Sequence, residues 1–161
     1  MIVVSDTSPI ANLVVIGRLD ILRTLYLHVI IPPKVLGEIQ ALKSFGVDLT
    51  DFENADWIEV KAPQNSAEVH ILLSEINKGE AEAIVLSEEL AADLLLIDER
   101  LGWNVAQRKG IKTVGLLGCL VKVKERGIVQ QIKPLIEDLR AKAGFWVGEK
   151  LVARVLKMAG E

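Results

Sequence analysis

The sequence predicts an α/β fold built on parallel strands, and two observations carry that prediction. Ile2-Val3-Val4 and Leu94-Leu95-Leu96-Ile97 are short uninterrupted apolar runs, the pattern of strands covered on both faces, and each is followed at once or after one residue by an aspartate, Asp6 and Asp98. Between and after them the spacing changes to that of helices, so strand and helix alternate along the chain. No low-complexity linker or repeat of solenoid period interrupts this order.

Taken in order, the first strand runs into a helix whose apolar positions are Ile10, Leu13, Val14 and Ile16, stopped by Gly17, and a second helix is expected over 18–27. Val29–Ile31 is a short strand broken by Pro32-Pro33, after which Val35, Leu36, Ile39 and Leu42 mark one buried helical face. A polar excursion over 46–56 leads to an edge strand at 57–60. Ser66 opens a helix carrying Val69, Leu72, Leu73 and Ile76, which the segment Asn77-Lys78-Gly79 is expected to close. The stretch GEAEAIVLSEEL, 79–90, reads as a largely buried helix. After the second apolar strand come a helix from about Arg100 to Lys109 and a short strand at 112–114. The remainder is helical over 118–126, 129–143 and 149–159, with 127–161 an extension packed on the same domain or a dimerisation surface.

At 161 residues the chain fits one domain, 1–161, large enough to bury a core without staples. Half of it is hydrophobic and only 4% aromatic, so the core must be aliphatic. The lone cysteine, Cys119, rules out an internal disulfide and a Cys-rich zinc site, and its apolar neighbours make it a packing residue. Neither a membrane span nor a signal peptide is recognisable, which makes a cytoplasmic protein the expectation. The net charge of -3 excludes a general electrostatic grip on nucleic acid, so action on such a substrate requires a local site with cations offsetting the acids.

Four acids are candidates for that site. Asp6 and Asp98 sit at the carboxyl ends of parallel strands, where open α/β sheets bind ligands, although either residue would also serve to cap the following helix. Glu38 falls on the flank of its helix's buried face, within reach of a cleft beside the sheet. Glu80 shares a stripe with Ala83, Ile84 and Ser87, whereas Glu82 aligns with Glu89 and is expected to be the more solvated. Carboxylates gathered at one sheet edge repel unless a cation neutralises them, and all-oxygen ligation selects Mg²⁺ or Mn²⁺. His28 and His70 lack the spacing of a zinc motif. No phosphate loop, dinucleotide fingerprint or nucleophile elbow appears.

The segments VVSDTSPIANL, PPKVLGEI, GEAEAIVLSEEL and LLLIDERLG, in this order, resemble the PIN-domain nucleases, particularly the VapC-like toxin ribonucleases of prokaryotes. The likeness covers about residues 1–126, and the ending GFWVGEKLVARVLKMAGE resembles the tail of a less characterised subgroup. It implies a PIN-like three-layer fold with a sheet of about five strands, Mg²⁺-dependent cleavage of RNA, a homodimer and inhibition by an antitoxin protein. Asp6, Glu38, Glu80 and Asp98 fall on the family's acidic metal-binding positions, Ser8 on its small polar position, and Glu99 where some relatives carry a further acid. Glu80 departs from the family pattern, where that position is more often Asp. Arg100, Arg108 and Lys109 are the main basic residues near these motifs and the expected phosphate contacts. The competing reading is a non-catalytic PIN-like module that binds nucleic acid or a partner. A phosphatase of the haloacid dehalogenase type fails because Ser8 stands where a second Asp is required.

Overall fold

The computed structural model describes residues 1–161. Its sheet has five strands: β1 (Val3–Ser5), β2 (Val29–Ile31), β3 (Ile58–Val60), β4 (Leu94–Leu96) and β5 (Thr113–Val114). They lie in the order β3-β2-β1-β4-β5, and every pairing is parallel. Strand order therefore runs outward in both directions from β1, which creates a topological switch point between β1 and β4.

Strand pleating splits the apolar runs between two cores. Val3, Val29, Ile31, Leu94 and Leu96 face one cluster, while Val4, Ile30, Leu95 and Ile97 face the other. The larger cluster is closed by α1 (Thr7–Val15), α2 (Asp20–Leu25), α3 (Pro33–Ala41), α8 (Leu116–Glu125), α9 (Lys133–Lys142) and α10 (Glu149–Met158). The smaller is closed by α5 (Ser66–Leu72), α6 (Lys78–Glu89) and α7 (Arg100–Arg108). Helices on both faces of a parallel sheet make the three layers expected from the sequence. Cys119 is fully buried in the larger core, with the Tyr26 hydroxyl 3.8 Å from its sulfur.

Several boundaries differ from the sequence reading. The helix face expected to reach Leu42 passes there into a 3-10 turn, Leu42–Phe45, and the polar excursion over 46–56 holds one short helix, α4 (Thr50–Glu53), because Leu49 and Phe52 are buried there. The helix α9 starts at Lys133 rather than at 129, with Pro134 in its first turn, where a missing N–H costs nothing. Asn77 does not close α5, which ends at Leu72; it is the N-cap of α6, its side chain accepting from the Glu80 N–H. The extension is tied to the larger core through Ile132, Ile136, Leu139, Val152 and Val155. No helix is long and apolar enough to cross a membrane.

Candidate active site

Backbone pairing fixes the centre of the site. The Asp6 N–H donates to the Leu96 carbonyl at 2.9 Å, which sets the carboxyl ends of β1 and β4 side by side and brings Asp6 and Asp98 out at the switch point. Asp6 holds the position before α1, yet its side chain accepts no capping hydrogen bond, and it is buried. Asp98 does not cap α7 either. Its Oδ1 accepts the Leu116 N–H, at 2.8 Å, so it faces the positive end of α8 instead. Neither aspartate thus makes the side-chain hydrogen bond to the second or third N–H that caps a following helix.

Two helices deliver the glutamates. Glu38, half-buried on α3, accepts a hydrogen bond from the Thr7 hydroxyl at 2.8 Å, which ties it to the start of α1. Glu80 lies in the first turn of α6, where the Asn77 amide donates to its Oε1 and the Asn77 Oδ1 accepts from its N–H, a reciprocal cap. One oxygen is left over on each of two acids: Glu80 Oε2 and Asp98 Oδ2 are buried without a well-formed hydrogen bond, with the Gly102 N–H and the Ser8 hydroxyl as further donors near these carboxylates.

Burial and crowding make these carboxyls reluctant to ionise. Asp6 is raised from 3.8 to about 7, chiefly by loss of solvent and then by the charges of Glu80, Glu38 and Glu99, with the Thr7 backbone N–H opposing. Burial also pushes Glu80 up to about 7, helped by Glu99 and Glu38, with the Gly102 backbone N–H opposing. Asp98 shifts upward for the same first reason, with the Leu116 N–H opposing and the Glu99 charge adding to the rise. Glu99 acts on all three, and so belongs to the cluster although it is exposed at its rim.

Three glycines make room for the acids. A Cβ on Gly79 would lie 2.8 Å from Glu38 Oε1, one on Gly115 2.8 Å from Asp98 Oδ1, and one on Gly102 would overlap Glu80 Oε2. Orphaned carboxylate oxygens, an all-oxygen donor set and close-fitting glycine cradles suit a hard divalent cation. As the side chains stand, no three of the chain's His, Cys, Asp or Glu groups close around one cation position. A cation held here would have to draw the carboxylates inward.

Ser8 and Glu99 border the same groove as Asp98, and Ser8 accepts a hydrogen bond from the Asn12 amide at 3.0 Å. Arg100 is exposed beside Asn77, Glu80 and Glu99. Arg108 and Lys109 are engaged elsewhere, Arg108 with Glu75 at 2.7 Å and Lys109 with Glu68 and Glu88 at 2.9 and 3.0 Å. Glu82, expected to be solvated, is buried, because the first turn of α3 packs on it and the Lys34 N–H donates to its Oε2 at 3.1 Å. His28 pairs with Glu59 at 2.9 Å, and His70 is exposed. The supporting roles of Thr7, Asn77 and the three glycines escape sequence reasoning; the spacing Asn77-x-x-Glu80 was the one signal available for them.

A search of curated proteins finds no match. Among solved structures, the chain is similar to a PilT N-terminus domain protein from the hyperthermophilic archaeon Sulfolobus solfataricus P2, with a TM-score of 0.52 and 20% identity, over 76% of this chain and 92% of that one. That likeness bears on the fold. A family model described as a PIN domain matches residues 2–161. PIN domains are generally nucleases that bind nucleic acid. With the acids at the switch point of a five-stranded parallel sheet and a family match spanning 2–161, this chain belongs to the PIN-domain family.

Proposed function

We propose that the chain is a metal-dependent endoribonuclease that hydrolyses RNA phosphodiester bonds, with 1–161 working as one domain. The observation that carries this reading is the pair of buried, unpartnered carboxylate oxygens, Glu80 Oε2 and Asp98 Oδ2, beside Asp6 at the switch point. Leaving such atoms unpaired is costly, and a cation is the partner that makes the arrangement favourable.

In this mechanism Asp6 and Asp98 supply the central oxygens, and Glu38 and Glu80 complete the set or orient water. Thr7 and Asn77 each fix one oxygen of a glutamate and leave the other free to turn toward the centre. Glu99 stands at the mouth, and Arg100 is the cation best placed to meet a phosphate there. Mg²⁺ or Mn²⁺ held by this set would supply positive charge to the phosphodiester and acidify the attacking water. The reading extends to a toxin role, an antitoxin partner, a homodimer and a cytoplasmic setting, all supported by the ordered motifs shared with prokaryotic toxin ribonucleases.

The test is cleavage of single-stranded and structured RNA by the purified chain. Cleavage should require Mg²⁺ or Mn²⁺, and Asp98→Asn should slow it by about two orders of magnitude or more. Equal cleavage in excess EDTA would sink the proposal. A second reading, a binding module without turnover, is favoured by the ion pairs that occupy Arg108 and Lys109. A pure docking module need not bind metal, so the absence of a heat of Mn²⁺ binding in a calorimetric titration would favour it.

A further inference from the structure

Close to the acids, a nucleic acid entering this site meets little free positive charge beyond Arg100. The chain carries a net charge of -3, acids crowd the sheet edge, and Arg108 and Lys109 are already neutralised by Glu75, Glu68 and Glu88. Affinity for a polyanion must then come in part from contacts that need no charge, and aromatic rings stacking on bases are the strongest of those.

The groove that holds Ser8, Asp98 and Glu99 offers such a ring. With a volume of about 800 Å³, it continues past the start of α8 to the loop between α9 and α10, where Trp146 lines it. Trp146 is 93% exposed, more than any other large apolar side chain of the chain. Its loop is anchored: the Phe145 N–H donates to the Leu139 carbonyl at 3.0 Å, Val147 is buried, and the Arg140 guanidinium donates to the Val147 carbonyl at 2.8 Å while pairing with Glu149. The indole is therefore presented by a fixed backbone and contributes nothing to the core. Beside it on α10, Lys150 and Arg154 are exposed, one helical turn apart, and lie together on one side of the groove-lining Leu151. Neither forms an ion pair, in contrast to Arg140 and Lys142 on α9.

We propose that this loop and α10 form the substrate-gripping wall of the groove: the Trp146 indole stacks on an unpaired base of single-stranded RNA, whose backbone passes Lys150 and Arg154 on its way to the acids. The proposal rests on the nuclease reading and names the form of RNA it takes. A base within a duplex has both faces covered by its neighbours, so a lone indole selects single strands.

The experiment uses the full chain, with Trp146→Ala, Trp146→Phe and the pair Lys150→Ala with Arg154→Ala. Cleavage kinetics in Mg²⁺ are measured alongside the anisotropy of a labelled single-stranded RNA oligonucleotide in EDTA. Trp146→Ala should raise KM and weaken binding about tenfold while kcat changes less than about threefold, and Trp146→Phe should restore most of the loss. Removing the two cations should flatten the dependence of log affinity on log salt by about 1.4. Duplex RNA of the same sequence should bind less tightly than the single strand. Cleavage with unchanged KM and binding in Trp146→Ala overturns the stacking wall and leaves the nuclease reading standing. Binding that depends on Trp146 without cleavage under any metal supports the wall and overturns the nuclease reading. If Trp146→Ala instead turns a dimer into a monomer at equal RNA affinity, the face joins two copies of the chain and the proposal is wrong.

Discussion

Glu80 and Glu82 stand two residues apart on α6 and are both buried, yet their surroundings give them opposite roles. Two residues on a helix turn the side chain by about 200°, so one glutamate faces the sheet edge and the other faces the start of α3. Glu82 is satisfied there by the Lys34 N–H and the positive helix end, whereas Glu80 keeps one oxygen without a partner. Glu82 is accordingly a structural acid. Glu82→Ala should cost about 1–2 kcal/mol in urea denaturation and leave kcat unchanged, while Glu82→Gln, still an acceptor, should lose less than half of that. Glu80→Gln should do the reverse, abolishing cleavage with little loss of stability. A Glu82→Ala protein as inactive as Glu80→Gln would show that the division between the two is misplaced.

At the scale of elements, the site is made where helix starts meet strand ends. The first turn of α6 carries Glu80, the first turn of α7 gives it room at Gly102, and the first N–H of α8 holds Asp98. Asn77→Ala removes both the N-cap of α6 and the amide that fixes Glu80, so it should cost about 1 kcal/mol and lower cleavage further than the stability loss explains. Gly115→Ala should cost about 1–3 kcal/mol in the same assay and depress metal-dependent cleavage, because its methyl would press on Asp98. The strands and their terminal aspartates were legible in the sequence because both depend on local pattern, an apolar run and the residue that ends it. Glu38 and Glu80 were legible from helical phase together with family resemblance. Glycine cradles are not, since Gly102 is constrained by the approach of α7 to Glu80 on α6 and to the Ile97 side chain after β4, and the burial of Glu82 is not either, because α3, far away in the chain, covers it. Asn77 suits either end of a helix, and only the hydrogen bond its Oδ1 accepts from the Glu80 N–H places it at the start of α6 rather than the end of α5.

For the molecule as a whole, the acid cluster couples folding to pH and to metal. Burial and mutual repulsion push Asp6 and Glu80 up to about 7 in the folded chain, against values near 4 for the unfolded chain. Between those values the native state binds more protons than the unfolded state, so the free energy of unfolding falls as pH rises from about 4 to about 7 and levels off above that range. Asp48, held below its ordinary value by the Thr50 hydroxyl and N–H, has the opposite sign, but its effect is confined to pH below about 4. A cation neutralising the carboxylates removes the penalty and binds their ionised forms, so its stabilisation must grow over the same window. The metal-free chain should therefore melt at a lower temperature at pH 8 than at pH 5.5, and the rise in melting temperature on adding Mn²⁺ should be larger at pH 8. Asp6→Asn should flatten the metal-free slope, raise stability at pH 8 by about 1 kcal/mol and shrink the Mn²⁺ effect. Thermal melts of both proteins across this range, with and without Mn²⁺, read all three quantities. A metal-free melting temperature that holds level or climbs from pH 5.5 to 8 would mean that the buried acids at the switch point are not the source of strain described for them.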